Sequence, residues 1–248
     1  METNLSLDVK NISKSFKIGH ERNSTLFDYM LSFSKKKSFE NLHVLKDITF
    51  SVKQGESLGI IGVNGCGKST LLKLITKIYD PDHGSITING KLTPFLEIGT
   101  GLNGELTARE NIIIYGVLLG KTKAKMEQLV NTIAKFAEIE NFLDTKLKNF
   151  SNGMNARLVF STAVHMEPDI MLVDEILSVG DVNFQKKCIE TFDRLKKQGK
   201  TIILVSHAID YLPSFCNNIL WLHEGSVKSF GEPKKVIDEY KKFFNQTN

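Results

Sequence analysis

Apolar residues recur along this chain with two periods, and their order sketches a fold before any chemistry is considered. Leu5, Leu7 and Val9 alternate with polar neighbours, as do Ile48, Phe50 and Val52; two strands are therefore predicted, flanking a stretch of different character at about residues 20–41. Leu58 to Ile61 is a short unbroken apolar run. A glycine-rich loop follows it, and then Leu71, Leu74, Ile75 and Ile78 stand at helical spacing. Asp80-Pro81-Asp82-His83-Gly84 is a turn cluster, and Ser85 to Ile88 followed by Asn89-Gly90 reads as one arm of a tight antiparallel hairpin. Thr107 and Glu110 form a capping-box pair at the head of a helix that Gly120 can close. Met126, Leu129, Val130, Ile133, Phe136 and Ala137 mark a second amphipathic helix. From Ile170 the units alternate: strand Ile170 to Val173, a helix from near Phe184 to Lys197, Gly199, and strand Thr201 to Val205. That alternation predicts an α/β fold with a mainly parallel sheet covered by helices and antiparallel strands beside it.

The 248 residues allow one large α/β domain or two small ones, and one is the expectation. Hydrophobic residues at 41% and charged residues at 24% exclude disorder over most of the length. A net charge of +4, with basic residues scattered except at Lys35-Lys36-Lys37, gives no support for a nucleic-acid partner and leaves the partner open. Cys66, Cys188 and Cys216 are odd in number and widely spaced, which fits neither a disulfide framework nor a zinc cluster and predicts a reducing compartment. Met1 to Asp8 lacks a basic region followed by an apolar stretch, and no apolar run reaches the ~18 residues that span a bilayer. The expectation is a chain that is neither secreted nor integral to a membrane.

Gly62-Val-Asn64-Gly65-Cys66-Gly67-Lys68-Ser69 matches the phosphate-loop pattern in full, between a strand and a helix. Its glycines let successive N–H groups turn toward a β-phosphate, the helix that carries Thr70 offers its positive end, Lys68 brings a charge, and Ser69 supplies a hydroxyl for Mg²⁺. Because Cys66 lies inside the loop, nucleotide is expected to slow its alkylation. Ile170 to Val173 ends in Asp174-Glu175. Acids at a strand end are ordinarily just solvated; with the loop upstream, Asp174 suits the hydrated Mg²⁺ and Glu175 the attacking water. His207 follows a strand at the carboxyl end, where open α/β sheets bind ligands, and is placed to face a γ-phosphate.

Phe150-Ser151-Asn152-Gly153-Met154, ahead of a helix, is by itself a helix-capping turn. It resembles the ABC signature, normally Leu-Ser-Gly-Gly-Gln, and the order phosphate loop, Glu97, signature, Asp174-Glu175, Asp181, His207 resembles that of an ABC cassette over nearly the whole chain. Phe95 to Leu102, Glu105 to Ile112 and Val179 to Cys188 are most similar to the ATP-binding subunits that export lipid-linked polysaccharides such as O-antigen, capsule or teichoic acid. The resemblance implies an ABC-type P-loop ATPase core with an antiparallel β subdomain and a helical signature subdomain at about residues 100–165, within a single unit over 1–248. It also implies Phe16 against adenine, Lys68 and Ser69 on phosphate and Mg²⁺, Asp174 on Mg²⁺, Glu175 as general base, His207 at the γ-phosphate and Asp181 linking two sites. Glu97 stands where most cassettes have Gln, so contact with Mg²⁺ and coupling to the membrane partner both stay open. Two copies of the chain would share each ATP, with Ser151 and Gly153 of one completing the loop of the other. The implied partners are an integral membrane channel subunit, which handles the lipid-linked glycan, and a second copy; the implied place is the cytoplasmic face of the cell membrane.

Leu26, Phe27, Tyr29, Met30, Leu31 and Phe33 are crowded ahead of the three lysines, and on a helix Leu26, Met30 and Phe33 share a stripe. Two readings stand: a surface helix packed on its own domain, or an interfacial helix against the bilayer, where the polysaccharide exporters insert one. A soluble ABC ATPase acting on ribosomes or DNA would need a second cassette or a long coiled coil, and no sustained heptads are present. The short stretch after Tyr240 is expected to leave no room for a C-terminal carbohydrate-binding domain.

Overall fold

The computed structural model describes residues 4–19, 39–95, 101–174, 181–205 and 209–245. Its organising layer is a sheet of six strands in the order β5-β6-β7-β3-β8-β9, where β3 is Ser57–Ile61, β5 Leu92–Phe95, β6 Ile170–Asp174, β7 Thr201–Val205, β8 Asn218–His223 and β9 Ser226–Gly231. All neighbours are parallel except the edge pair β8–β9. The inner strands β6 and β7 read as near-continuous apolar runs because both faces are covered, whereas the edge strand β9 is mixed and partly exposed. Successive residues serve opposite cores: Met171, Val173, Ile202, Leu204, Ile219 and Trp221 enter one, while Ile170, Leu172, Ile203, Val205, Leu220 and Leu222 enter the other.

The second core is closed by an antiparallel sheet in the order β2-β1-β4. Here β1 is Leu5–Gly19, β2 Phe39–Lys53 and β4 His83–Ile88. Leu7, Val9 and Ile12 point inward opposite Ile48, Phe50 and Val52. The change of spacing from two to three at Ile12 is a bulge at Asn11, whose backbone turns left-handed (φ 48°) while its N–H bonds the Thr49 hydroxyl at 2.9 Å. β2 thus starts at Phe39, within the stretch set apart by the sequence; residues 20–38 lie outside the described ones, with Leu26 to Phe33 and the three lysines among them.

Two local expectations are corrected. Asn89-Gly90 does not turn a hairpin: β4 pairs with β1 and β5 pairs with β6, so the two strands belong to different sheets. Asn89 binds back to β1 through its side chain on Leu5 O, and Gly90 (φ 120°) passes the chain to β5, where Asp169 accepts from Lys91 N–H at 3.0 Å. The helix after the glycine-rich loop, α1 (Lys68–Ile75), stops a turn early. Lys77 takes the left-handed conformation (φ 58°), Ile78 N–H closes on Lys73 O, and the Ile78 side chain is left 59% exposed.

Helices α2 (Ala108–Leu118), α3 (Lys123–Ala137) and α4 (Asn152–Val164) pack together on the first core. The capping box forms as read, with Thr107 accepting from Glu110 N–H and Glu110 accepting in return from Thr107 N–H. α5 (Val182–Lys197) lays Phe184, Cys188, Phe192 and Leu195 on the same face of the sheet. A short helix α6 (Leu212–Phe215) and the terminal helix α7 (Pro233–Asn245) complete that side.

Candidate nucleotide site

β3 runs straight into the loop 62–67, which wraps the start of α1. Two of its glycines are demanded by crowding. A Cβ on Gly62 would meet Leu222 O at 2.3 Å and Cys66 Sγ at 2.6 Å, and one on Gly67 would meet Leu45 Cδ2 at 2.7 Å. Gly67 is also the N-cap of α1 in left-handed backbone (φ 106°), and no side chain among the described residues caps the helix, so its first-turn N–H groups are left for another acceptor. Val44, Asn64, Gly65, Gly67, Lys68, Ser69 and Thr70 line a cavity of 180 Å³ at this helix start. Lys68 is buried and donates from Nζ to Gly62 O at 2.8 Å and Val63 O at 3.1 Å, which keeps a cation inside the loop. Uncapped N–H groups, a helix dipole and an ammonium converging on one concavity suit phosphate oxygens. The exposed Ser69 hydroxyl in the first turn of α1 is a hard oxygen donor of the kind that suits a hydrated Mg²⁺.

Cys66 departs from the expectation for its side chain. It is 4% exposed and belongs to the core with Leu71 and Leu222, and burial, partly countered by Lys68, pushes its thiol up. Its Sγ packs beneath the loop, against Gly62, so slow alkylation with or without nucleotide is the outcome this burial leads one to expect.

Asp174 closes β6 and pairs with Val205 of β7, the strand adjoining β3. Glu97, Glu175 and His207 lie outside the described residues. Phe16 is half-buried on β1, edge-on to Tyr79 at 5.4 Å between centroids, with Lys14 Nζ 5.6 Å from its ring centre. Ser151 is the N-cap of α4 and accepts from Met154 N–H at 3.2 Å. A Cβ placed on Gly153 would meet Ser151 Oγ at 3.8 Å, an ordinary contact. Asp181 caps α5, accepting from Phe184 N–H at 3.0 Å. Among the described residues no hydrogen bond or ion pair joins Ser151, Gly153 or Asp181 to the phosphate loop; they form a second surface at the starts of α4 and α5.

Sequence reading missed the seat of the loop. Val44, Leu45 and Leu222 touch it from β2 and β8, and no local motif marks them because their role is set by long-range packing. Among the described residues no three His, Cys, Asp or Glu side chains cluster to hold a metal, and no helix is long and apolar enough to cross a membrane.

Comparison with known proteins agrees with this geometry. Residues 45–178 match the family model described as ABC transporter. The teichoic acids export ATP-binding protein TagH of Bacillus anthracis is 40% identical over 245 residues, covering 99% of this chain, which spans 44% of that protein's length. The O-antigen export system ATP-binding protein RfbB of Klebsiella pneumoniae is 37% identical over 240 residues, covering 95% of this chain and 97% of that one. Among solved structures, an ATP-binding subunit of an ABC transporter superposes with a TM-score of 0.75 at 25% identity, covering 96% of this chain and 94% of its own. A dimeric ATP-binding cassette bound to ADP and Pi shares the fold with a TM-score of 0.74 at 23% identity, covering 92% and 98%. With the phosphate loop, the two-faced parallel sheet and a family match over more than half its length, the chain belongs to the ABC transporter family.

Proposed function

We propose that this chain is the ATP-binding and ATP-hydrolysing subunit of an exporter that moves a lipid-linked cell-surface polysaccharide of the O-antigen, capsule or teichoic acid kind. The observation that carries the reading is the near end-to-end match, at 37% identity, with an O-antigen export ATP-binding protein of almost the same length. The glycine-built cavity supports it chemically, since it presents main-chain donors and Lys68 to a triphosphate.

In this reading Phe16 stacks on adenine, and Gly62, Asn64, Gly65, Cys66, Gly67 and Thr70 lend main-chain or helix-end donors to the phosphates. Lys68 exchanges its two carbonyl partners for phosphate oxygens. Ser69, Asp174 and Glu97 are the residues that would hold a hydrated Mg²⁺, which would supply positive charge to the triphosphate. Glu175 takes the proton of the attacking water and His207 hydrogen-bonds the γ-phosphate. Ser151, Gly153 and Asp181 present themselves to the nucleotide of a second copy, so that closure requires ATP in both loops. The working assembly is a homodimer on the cytoplasmic face of the membrane, beneath an integral channel subunit that handles the glycan. The segment 24–33 is read as its contact with the lipid surface.

Deleting the chain and analysing lipid-linked glycan inside the cell tests the reading. Glycan should accumulate, and export should return with the wild-type chain but not with Glu175→Gln. Normal surface glycan in the deletion strain would overturn it.

A further inference from the structure

Three elements meet at one guanidinium on the surface that carries Ser151 and Asp181. α3 ends at Glu138, which adopts a left-handed backbone (φ 60°) that residues with side chains seldom take. Its carboxylate is gripped from two sides. Arg157 of α4 donates from Nη1 at 3.3 Å and Lys187 of α5 from Nζ at 3.2 Å, and Lys187 also donates to Phe136 O at 2.7 Å. The same Arg157 Nη1 lies 3.8 Å from Oδ2 of Asp181, whose Oδ1 caps α5. The guanidinium carbon stands 5.9 Å from the centre of the Phe184 ring, and Nε is buried with no hydrogen-bond partner among the described residues.

The arrangement is a poor device for stability. The side chains of Glu138 and Asp181 are 50% and 60% exposed, and pairs so open to water contribute little to folding. It is a good device for geometry. Arg157 sits six residues after Ser151, about 9 Å along the axis of α4. A shift of that helix therefore moves the guanidinium against both carboxylates.

We infer that Arg157 is a positioning residue: by holding Glu138 and Asp181 on one guanidinium, it makes the helix bearing Ser151 and Gly153 and the loop bearing Asp181 approach a second copy's nucleotide as one surface. This rests on the shared-site reading given above. Sequence order conceals it, because Glu138, Arg157 and Asp181 are brought together only by the packing of α3, α4 and α5.

The test is ATP-dependent dimerisation of Glu175→Gln, followed by sedimentation as ATP is titrated. Adding Arg157→Gln should raise the ATP needed for half-dimerisation roughly tenfold. Arg157→Lys, which keeps the charge but loses the planar fork, should recover part of that loss. ATP affinity of the monomer, read with a fluorescent nucleotide at protein concentrations below dimerisation, should stay at the parent value; damage to the fold would lower it together with the melting midpoint. If Glu175→Gln itself never dimerises with ATP, the shared-site reading falls and this inference with it. If it dimerises and the Arg157→Gln form does so at the same ATP concentration, the inference alone is overturned. Should Arg157→Gln not fold, Arg157→Lys decides: an unchanged ATP requirement overturns the inference, and a raised one at parent monomer affinity supports it.

Discussion

Single residues in this chain are constrained more tightly by what lies behind them than by what they present. Gly62 and Cys66 illustrate this: Leu222 O stands where a side chain on the glycine would have to go, and the thiol fills the space beneath the loop it was expected to decorate. The other two cysteines make a measurable version of the point. Burial pushes the thiols of Cys188 and Cys216, ordinarily near 9.0, up to about 12. Between those values the folded chain keeps two protons that the unfolded chain releases, so raising the pH drives unfolding. Each thiol should remove stability at up to about 1.4 kcal/mol per pH unit across that window, and neither should matter below it. Denaturant midpoints measured from pH 8 upward should therefore fall less steeply for a Cys188→Ala, Cys216→Ala variant than for the parent, whatever the offset at pH 8. Parallel slopes would mean that the thiols are not held protonated.

At the scale of elements, the segment entering α2 is organised by one buried amide. Asn111 donates from Nδ2 to the carbonyls of Asn103, Leu106 and Thr107, and its Oδ1 accepts from Asn103 N–H. Asn111→Asp keeps the shape but turns a donor toward three carbonyls into an acceptor. It should cost roughly 3 kcal/mol or more and release the amides of 103–107 to hydrogen exchange while α5 stays protected; unchanged exchange at Asn103 would refute the clamp. Such tertiary anchors mark the limit of what sequence discloses. The phosphate loop, the strands at 58–61, 170–173 and 201–205, and the caps at Thr107 and Ser151 were legible because each leaves a mark within a few consecutive residues: a glycine pattern, an apolar run or a capping residue. Asn89-Gly90 misled because its turn chemistry suits a hairpin equally well; pairing of β4 with β1, far back in the chain, decided the outcome. Ile78 misled because helical spacing persists through a stretch where Lys77 has already broken the backbone. Leu222 and Arg157 carried no signal at all, since each acts on residues from remote segments.

The whole molecule is a sheet shared by two cores, and the nucleotide loop hangs from the strand at its centre. β3 gives Ile60 to one core and Ile61 to the other, then becomes the loop. Ligand bound there should thus stabilise the entire chain and not a local lobe. At a Mg-ATP concentration of 100 times Kd, the linkage contribution is about 2.7 kcal/mol. It should appear as one upward shift of a single melting transition, reported alike by far-ultraviolet dichroism and by Trp221, the chain's one tryptophan, which is 2% exposed on β8. Lys68→Ala strips the loop of the ammonium that bridges Gly62 O and Val63 O, so it should lower the ligand-free midpoint modestly and abolish most of the ATP shift. In the Glu175→Gln form the shift should also grow with protein concentration, because a nucleotide completed by a second copy couples folding to association. A shift independent of protein concentration would leave a nucleotide-binding monomer, and Ser151, Gly153 and Asp181 would then be helix caps and nothing more.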